Sequence, residues 1–588
     1  MTTRRTRVAA LATATAVIVT GVSIASGAPA QAADGPTADC ATAFPEADLV
    51  KDQTVHGLTV TSGTTPSEFT GTVLGVLKGG ISASTDMIVM ELHSDEIDEA
   101  GIWEGMSGSP VYDDTTGELI GAVSYTLSYG ETQIAGVTPF AAMQKYLPDG
   151  GSTAGSTGTR DNVRVQSSAL AHRIADAAGI TQAQAAKGFS QLQTPVSVAG
   201  VSAKRVDQAA DSDDKALHSK VAAGRLGVSA EDESPGADSL VAGGNLAAAY
   251  VYGDVAMAGI GTVTSVCDGG LVGFGHPMDG TGTTSLALLT ADAVTIQPDN
   301  LNASFKVANL GQVAGIINQD RTPAIAGPLG AGPRVGNVTA TSTYDGTSRT
   351  GTSYVANREY TADAVFYETV NNSDAITDTP YLKGGSLATY VVKGTENGKA
   401  FSLTYADRFV SGGDITSETA YPAADLAYAL SLMKGVTITS VTAKAGYNDN
   451  TRSRKITTVQ QKRSGTWVTV GKKPITAKPG GTVTLRVTTS GTGVSTKKQT
   501  FSFKVSKRLK GAIGELDVVG GNANYLDAYG DSTIAKVKKT IAETARHDQV
   551  QTNLYLRKHG VNGNREIKLP KLDTIVKGHK YITVKVSK

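Results

Sequence analysis

The chain has 588 residues, more than one hydrophobic core usually organises, so several domains are expected. Its 54 basic and 54 acidic residues give no net charge, and two cysteines without clustered histidines exclude a zinc or iron–sulfur site. Abundant glycine (67 residues) and sparse aromatic residues (6%) favour short strands and turns. We therefore expect a mainly β fold with a few Ala-rich helices, and no cofactor or metal.

The first 33 residues have the pattern of a secretory signal peptide. Three arginines at positions 4, 5 and 7 precede an apolar run over residues 8–25, and Ala30-Gln31-Ala32 supplies the small residues that a signal peptidase needs. The arginine pair also permits a twin-arginine export route. No later segment approaches ~18 uninterrupted apolar residues, so no second membrane span is expected. The mature chain is predicted to be secreted or associated with the cell wall.

Cys40 and Cys267 both lie in the mature chain. In an oxidising compartment a single pair most economically forms one disulfide, which would tie the start of the mature chain to a distant segment. The alternative is two separately buried thiols.

Strand-like alternation of apolar and polar residues begins near residue 54 and continues to residue 148. The segments that alternate are 56-HGLTVTS-62, 70-TGTVLGVL-77, 86-DMIVMEL-92, 118-ELIGAVSY-125 and 133-QIAGVTPF-140. A linker rich in Gly, Ser and Thr and an Ala-rich helical segment follow over 149–245. A second β region occupies 246–435 and ends with the Ala-rich helix 420-AYPAADLAYALSLM-433.

From residue 436 onward the character of the sequence changes. Residues 436–510 read as a β-sandwich-like module with Lys-Pro-Gly-Gly turns, and residues 511–588 as a small α+β unit with one helix at 532–547. Residues 436–588 hold 29 Lys and Arg against 9 Asp and Glu, which leaves 25 basic and 45 acidic residues in the rest. Such a basic region can contact an anionic cell-wall polymer, an anionic membrane surface or the acidic remainder of the chain. A basic surface that only confers solubility is the alternative. Export and the lack of an aromatic-rich basic face argue against nucleic acid.

The stretch 101-GIWEGMSGSPVYDD-114 has the properties of a nucleophile turn. Two small hydroxyls framed by glycines leave an Oγ atom free of neighbouring side chains, while adjacent N–H groups can turn toward an oxyanion. A serine nucleophile needs a base, which is usually histidine. Of eight histidines, His276 is distinctive because it follows an apolar strand inside the Gly-rich turn 269-GGLVGFGHPMDGTG-282, where another segment can approach closely. A surface turn and a structural histidine are the alternatives.

Together the two motifs and their flanks resemble the SpoIVB-type serine peptidases, which share a chymotrypsin-like fold of two β-barrels. The resemblance covers roughly residues 40–148 and 246–336, including 304-SFKVANLGQVAGIINQDRTPAIAGPLG-330. It implies a serine-bearing barrel half over 34–148, a short helical insertion, and a histidine-bearing half with its extension over 246–435. The sequence departs from the family in two respects, because it shows no PDZ domain and its serine motif precedes its histidine motif.

The resemblance also implies roles for individual residues. Ser107 becomes the nucleophile, His276 the general base, and the N–H groups of Gly105 and Ser107 the oxyanion hole. The orienting carboxylate is open between Asp320, which follows the histidine in its own half, and Asp95, which precedes the serine turn. Three further alternatives are a Ser–His pair without a third member, a backbone group as the third member, and Asp320 as a salt-bridge partner of Arg321.

Two functions are compatible with these features. One is an exported serine endopeptidase that acts on a protein or peptide substrate, either another envelope protein or itself. The other is a non-catalytic cell-envelope binding protein that keeps the peptidase scaffold and uses its basic C-terminal region as the contact surface.

Overall fold

The computed structural model describes residues 40–128, 130–148, 162–212, 215–219, 221–228, 233–299, 303–379, 381–558 and 560–588. The predicted signal peptide and the predicted linker at 149–161 lie outside these residues. The described chain is mainly β, as the composition indicates. No helix in these ranges is long and apolar enough to cross a bilayer.

The first sheet contains a closed antiparallel barrel of six strands. Its elements are β1 Thr54–Thr59, β2 Ser67–Ser82, β3 Thr85–His93, α1 Asp95–Ala100, β4 Pro110–Asp113, β5 Leu119–Leu127, β6 Ile134–Pro139 and α2 Phe140–Met143. The strands pair in the cyclic order β1-β2-β3-β6-β5-β4, and β4 returns to β1. All five strands expected from alternation are present. β4 escapes a pattern search because it has four residues and begins with proline, which is tolerated at the first position of a strand.

The insertion after this barrel contains short elements that join both sheets. They are β7 Asn162–Val163, α3 Ser168–Ala178, α4 Gln182–Ala185, β8 Phe189–Gln191, β9 Ser197–Ala199, α5 Ala203–Ala210, β10 Ala222–Ala223 and β11 Leu226–Val228. The expected Ala-rich helices are present. β8 pairs with β5 of the first sheet, whereas β9 pairs with the next sheet, so the chain crosses between the two sheets over residues 189–199.

Six strands of the large second sheet repeat the pairing order of the barrel. They are β12 Asn245–Gly253, β13 Ala256–Cys267, β14 Gly270–Gly273, β15 Gly282–Gln297, β16 Phe305–Arg321 and β17 Ala324–Pro328. All are antiparallel and follow the order β12-β13-β14-β17-β16-β15, and β15 pairs again with β12. With strands counted from the first in each set, the two cyclic orders are identical.

The second sheet continues beyond this set into a layer covered by two helices. The elements are β18 Gly336–Tyr344, β19 Thr347–Val355, α6 Thr361–Thr377, β20 Gly384–Glu396, β21 Lys399–Ser411, α7 Ile415–Ser431 and β22 Val436–Asn448. β22 pairs with β18 and β20, so the predicted boundary at 436 is wrong, and the chain leaves this sheet only after residue 448. The change in composition marks a change in charge but not the end of the sheet.

The strands of the remaining chain form one β-sandwich rather than two modules, whereas residues 526–537 pack into the core of the second sheet. Its elements are β23 Arg454–Arg463, β24 Thr466–Thr469, β25 Ile475–Ala477, β26 Thr482–Gly491, β27 Val494–Lys504, β28 Ile513–Gly520, α8 Ile534–Glu543, β29 Val550–Tyr555, β30 Arg557–Lys558, β31 Val561–Asn562, β32 Arg565–Lys568, β33 Val576–Lys577 and β34 His579–Val586. β25 pairs with β34 and β33 pairs with β23, and both sheets share one core. The predicted division at 511 is therefore wrong, because strands from both sides of it interleave.

A disulfide joins Cys40, at the start of the described chain, to Cys267 at the end of β13. The predicted pairing is confirmed, and the alternative of two buried thiols is excluded. The bridge closes a loop of more than two hundred residues that contains the whole first barrel. A cross-link of this length restricts the unfolded chain strongly.

Candidate active site

The serine turn lies between α1 and β4, and its backbone hydrogen bonds follow an unusual pattern. Met106 donates to the Trp103 carbonyl, Gly108 to Val123, and Ser109 to Met106. Within the part of the chain that the structure describes, the N–H groups of Gly105 and Ser107 donate to no acceptor. Both residues are buried, where an N–H without a partner is costly and rare. These two groups are the ones that the sequence predicts as an oxyanion hole.

The two hydroxyls of the turn differ in their contacts. Ser109 Oγ donates to the Met106 carbonyl at 2.7 Å and lies within hydrogen-bond distance of Thr59 Oγ1 at 2.9 Å, so it holds the turn against β1. Ser107 Oγ is equally buried and has no hydrogen-bond partner. Ser109 therefore has a structural role, and Ser107 is the hydroxyl that remains available for chemistry.

The loop that follows β14 and carries His276, residues 274–281, packs directly against this turn; we name it the histidine loop. A side chain at Gly108 would place its Cβ 1.9 Å from the Thr262 oxygen and 2.6 Å from the Phe274 nitrogen, and the φ angle of Gly108 is +98°. Only glycine fits such a contact in such a conformation. The Ser107 carbonyl also accepts from the Thr262 N–H at 2.8 Å. The structure thus brings together the two motifs, which are separated by more than 150 residues.

The loop after β14 is held in a constrained conformation. Phe274 is fully buried and has a φ of +68°, which is rare for a bulky residue. Gly275 follows with φ +70°, and its carbonyl accepts from Thr138 Oγ1 of the first barrel at 2.6 Å. A Cβ at Gly275 would lie 2.9 Å from Ser124 Cβ. The first barrel therefore fixes the loop that presents His276.

The His276 ring is neutral and is oriented by a carbonyl group. Nδ1 lies 2.7 Å from the Pro277 oxygen, so the ring proton is on Nδ1 and donates to that carbonyl. Nε2 consequently carries a lone pair, and it has no hydrogen-bond partner. Complete burial lowers the pKa of His276 to about 4, against the weaker opposing effects of the Pro277 hydrogen bond and of Asp320.

Neither candidate carboxylate contacts the His276 ring. Asp320 is buried and accepts the N–H groups of Met278, Asp279 and Thr281, at 2.8, 2.9 and 3.3 Å. It fixes the loop that follows the histidine, so its predicted role of orienting the ring directly is wrong. The predicted Arg321 pair is also not its main contact. Asp95 is exposed in the first turn of α1.

Residues 189–199, which we name the covering segment, lie over both motifs. Gln191 Nε2 donates to the Pro277 carbonyl, the same group that accepts from His276 Nδ1, at 3.4 Å. The Leu192 N–H donates to the Ser124 carbonyl at 3.0 Å. Farther along, Gln193 and Pro195 share a narrow crevice with Gly105. Ser107 and His276 have no solvent exposure. Both side chains are therefore closed off from solvent in this structure.

Lys306 is a buried lysine that sequence reasoning missed. Its Nζ donates to Asn245 Oδ1 at 2.8 Å, and a Cβ at Gly105 would lie 2.8 Å from Lys306 Cβ. Burial lowers the pKa of Lys306 to about 7. The available signal is a lysine within the alternating strand 304-SFKVANLG-311, but its approach to the serine turn arises only in the folded chain.

Within the described residues, one group of side chains has metal-ligand spacing, namely Cys40, Cys267 and Asp268. Its two sulfur atoms are joined in the disulfide, so they offer no thiolate ligands. Comparisons with protein-family models, curated proteins and solved structures find no match for this chain.

Burial of the neutral His276 ring makes the stability of the fold depend on pH. The native pKa is near 4, whereas the unfolded ring has its ordinary value near 6.5, so the unfolded state binds more protons between these values. The stabilising contribution is complete above about pH 6.5 and is lost as the pH falls toward 4. Between pH 7.5 and pH 5 we expect a loss of about 2 kcal/mol from this group.

The measurement is the free energy of urea unfolding of wild-type protein and His276→Gln at both pH values. The variant should lose about 2 kcal/mol less than wild type on acidification. His172→Gln is the matched control because His172 is exposed on α3, and it should keep the wild-type dependence. Equal pH dependence in wild type and His276→Gln would contradict a neutral buried ring.

Proposed function

We propose that this protein is a serine endopeptidase in which Ser107 is the nucleophile and His276 the general base. One observation carries the proposal. The turn at 105–109 pairs its other backbone and hydroxyl groups but leaves unpartnered the Ser107 Oγ and the N–H groups of Gly105 and Ser107. The loop in contact with it presents an unprotonated, unpartnered Nε2 atom. Acyl transfer requires this set of groups.

The fold supports the proposal. The closed barrel and the six-stranded set in the second sheet have the same cyclic order, and the two motifs meet where these sets pack together. A chymotrypsin-like double barrel in permuted order accounts for both facts. The sequence resemblance to the SpoIVB-type peptidases points to the same arrangement.

In the proposed mechanism His276 Nε2, which makes no hydrogen bond to Ser107 Oγ in the closed site, approaches this hydroxyl when the covering segment moves. It then removes the Ser107 proton as Oγ attacks the scissile carbonyl carbon. The carbonyl oxygen takes the negative charge and accepts from the N–H groups of Gly105 and Ser107. The imidazolium then donates its Nε2 proton to the leaving amine, and water hydrolyses the acyl-enzyme by the same steps. Throughout, the Nδ1–H donates to the Pro277 carbonyl, which takes the orienting position of a carboxylate. Asp320 is a positioning residue that acts through the loop.

We also propose that the protein is exported and that its peptidase site is latent. The signal-like N-terminus and the disulfide between Cys40 and Cys267 support export. Latency follows from the covering segment, which keeps Ser107 and His276 away from solvent. Displacement of this segment would admit an extended peptide between the two sets of strands.

The central residue assignment can be tested with a fluorophosphonate probe. Ser107→Ala should abolish labelling and leave the melting temperature unchanged, because the hydroxyl makes no hydrogen bond in the fold. Ser109→Ala should still be labelled but should be less stable by about 1–3 kcal/mol, because it loses the bonds to Thr59 and Met106. His276→Gln should be labelled about 10²–10⁴ times more slowly. Labelling that survives in Ser107→Ala would refute the assignment.

Latency can be tested by loosening the covering segment. Leu192 is buried in the barrel core and anchors the segment, so Leu192→Ala should raise the open population and accelerate labelling by about tenfold. Leu485→Ala is the matched control, because it leaves a comparable cavity in the sandwich core and does not touch the covering segment. The measurement is the second-order rate constant of labelling. Equal rates for wild type and Leu192→Ala would show that the segment does not limit access.

The second candidate function, envelope binding, is favoured by the surface of the sandwich. Lys497 and Lys498 on β27 and Lys571 in the loop before β33 line a groove of about 430 Å³. All three side chains are exposed. Asp573 in the same groove is paired with the buried Arg454. Exposed ammonium groups at this groove fit the phosphate or carboxylate groups of an anionic polymer.

This binding predicts a salt-dependent affinity for polyanions. We expect the protein to bind polyphosphate chains and anionic phospholipid vesicles at low salt, and Lys497→Gln/Lys498→Gln/Lys571→Gln to bind about tenfold more weakly. Lys536→Gln/Lys538→Gln/Lys539→Gln removes equal charge from exposed positions on α8 and should have a smaller effect. Cosedimentation at two salt concentrations measures both. Equal losses in the two triple variants would indicate a nonspecific charge effect.

A further inference from the structure

A separate pocket of about 440 Å³ opens at one end of the second sheet, in the part that extends beyond the six-stranded set. Its interior is formed mainly by the apolar side chains Val335, Val338, Val355, Val436, Ile438 and Val441. A pocket of this size and lining is typical of small-molecule sites. It contains none of the residues of the candidate active site.

The pocket arises from a mismatch in strand length. The parallel ladder between β18 and β22 begins at Asn337 and Ser440, so residues 436–439 of β22 extend beyond it. The pocket lies beside these residues of β22, which have no partner on β18. Ser431, the last residue of α7, and the turn at Arg358 close it from the helical layer. The cavity is therefore framed by regular elements, and it is preformed in the fold.

The charged side chains that line the pocket are all positive. Among the described residues that line it, Arg334 and Arg358 are the charged ones, and none is acidic. Both side chains are exposed, and Arg358 donates to the Ser431 carbonyl, which holds it at the mouth. This arrangement stands out because residues 1–435 carry 25 basic and 45 acidic residues. The mouth is thus cationic on an acidic part of the chain.

We propose that this pocket binds an anionic amphiphile, whose carboxylate or phosphate head pairs with Arg334 and Arg358 and whose alkyl tail enters the apolar interior. A guanidinium group offers a planar set of donors that matches both head groups. The valine and isoleucine side chains give the tail a dry environment, so affinity should rise by about fourfold for each buried methylene. The proposal does not depend on the proposed peptidase activity.

The experiment is calorimetric titration of the mature protein with four ligands of equal chain length, each below its micelle concentration. They are decanoate, decyl phosphate, decyl glucoside and decyltrimethylammonium. Decanoate or decyl phosphate should bind at least about tenfold more tightly than the neutral and cationic compounds. Preference for decanoate indicates a free fatty acid, and preference for decyl phosphate indicates a phospholipid-type head. Equal binding of all four compounds, or binding of none, would overturn the proposal.

Substitutions of residues that line the pocket test whether the anion binds there. Arg334→Gln/Arg358→Gln should weaken binding of the anion by at least about tenfold, and Ile438→Trp should block it by filling the cavity. Arg508→Gln, at an exposed position in the sandwich, is the control and should bind as wild type does. Melting temperatures establish that each variant is folded, and Ser107→Ala should bind normally, which separates this site from the peptidase. Unchanged binding in the double arginine variant would refute the assignment.

Discussion

The candidate site depends on a close backbone contact of Gly108 with strand β13 and with Phe274, the residue that follows β14. No side chain fits between the serine turn and the atoms of Thr262 and Phe274, and the φ of Gly108 excludes other residues without strain. This contact joins the first barrel to the second sheet at the point where Ser107 and the histidine loop lie. The Gly275 carbonyl, held by Thr138, completes the junction from the other side. Two distant motifs become one site because their glycines permit this approach.

Some polar side chains around the junction are hydrogen-bonded within the fold, and others have no hydrogen-bond partner. Ser109, Thr138 and Asp320 are fully engaged in holding the turn and the loop. Ser107 Oγ and His276 Nε2 are left without partners, although burial makes that costly. Such a cost is expected where a protein retains groups for reaction with a ligand. The covering segment lies against these groups, which are fully buried, so the candidate site is closed in this structure.

Much of the local structure can be predicted from the sequence, because the first barrel has one apolar face and its strands alternate. The pairing of Cys40 with Cys267 can also be predicted, and so can the choice of Ser107 and His276 as candidates, since both lie in glycine-rich turns. Helix α6 cannot be predicted in this way, because it is buried on nearly every side. It therefore lacks the alternation of an apolar and a polar face that identifies a surface helix in a sequence. The predicted division at residue 511 is wrong for a different reason. β25 and β34 are distant in sequence, and they become neighbours only through pairing in the folded chain. The contacts of Asp320 likewise depend on an approach between distant segments.

We propose that the N–H groups of Gly105 and Ser107 form an oxyanion hole beside the Ser107 hydroxyl. The most direct measurement is a crystal structure of the protein after reaction with a peptidyl phosphonate. We expect phosphorus to be bonded to Ser107 Oγ, with one phosphonyl oxygen roughly 2.7–3.1 Å from both the Gly105 and the Ser107 nitrogens. We also expect the covering segment to be displaced from His276. Phosphorus on another side chain, or a phosphonyl oxygen directed away from these two nitrogens, would contradict the proposal.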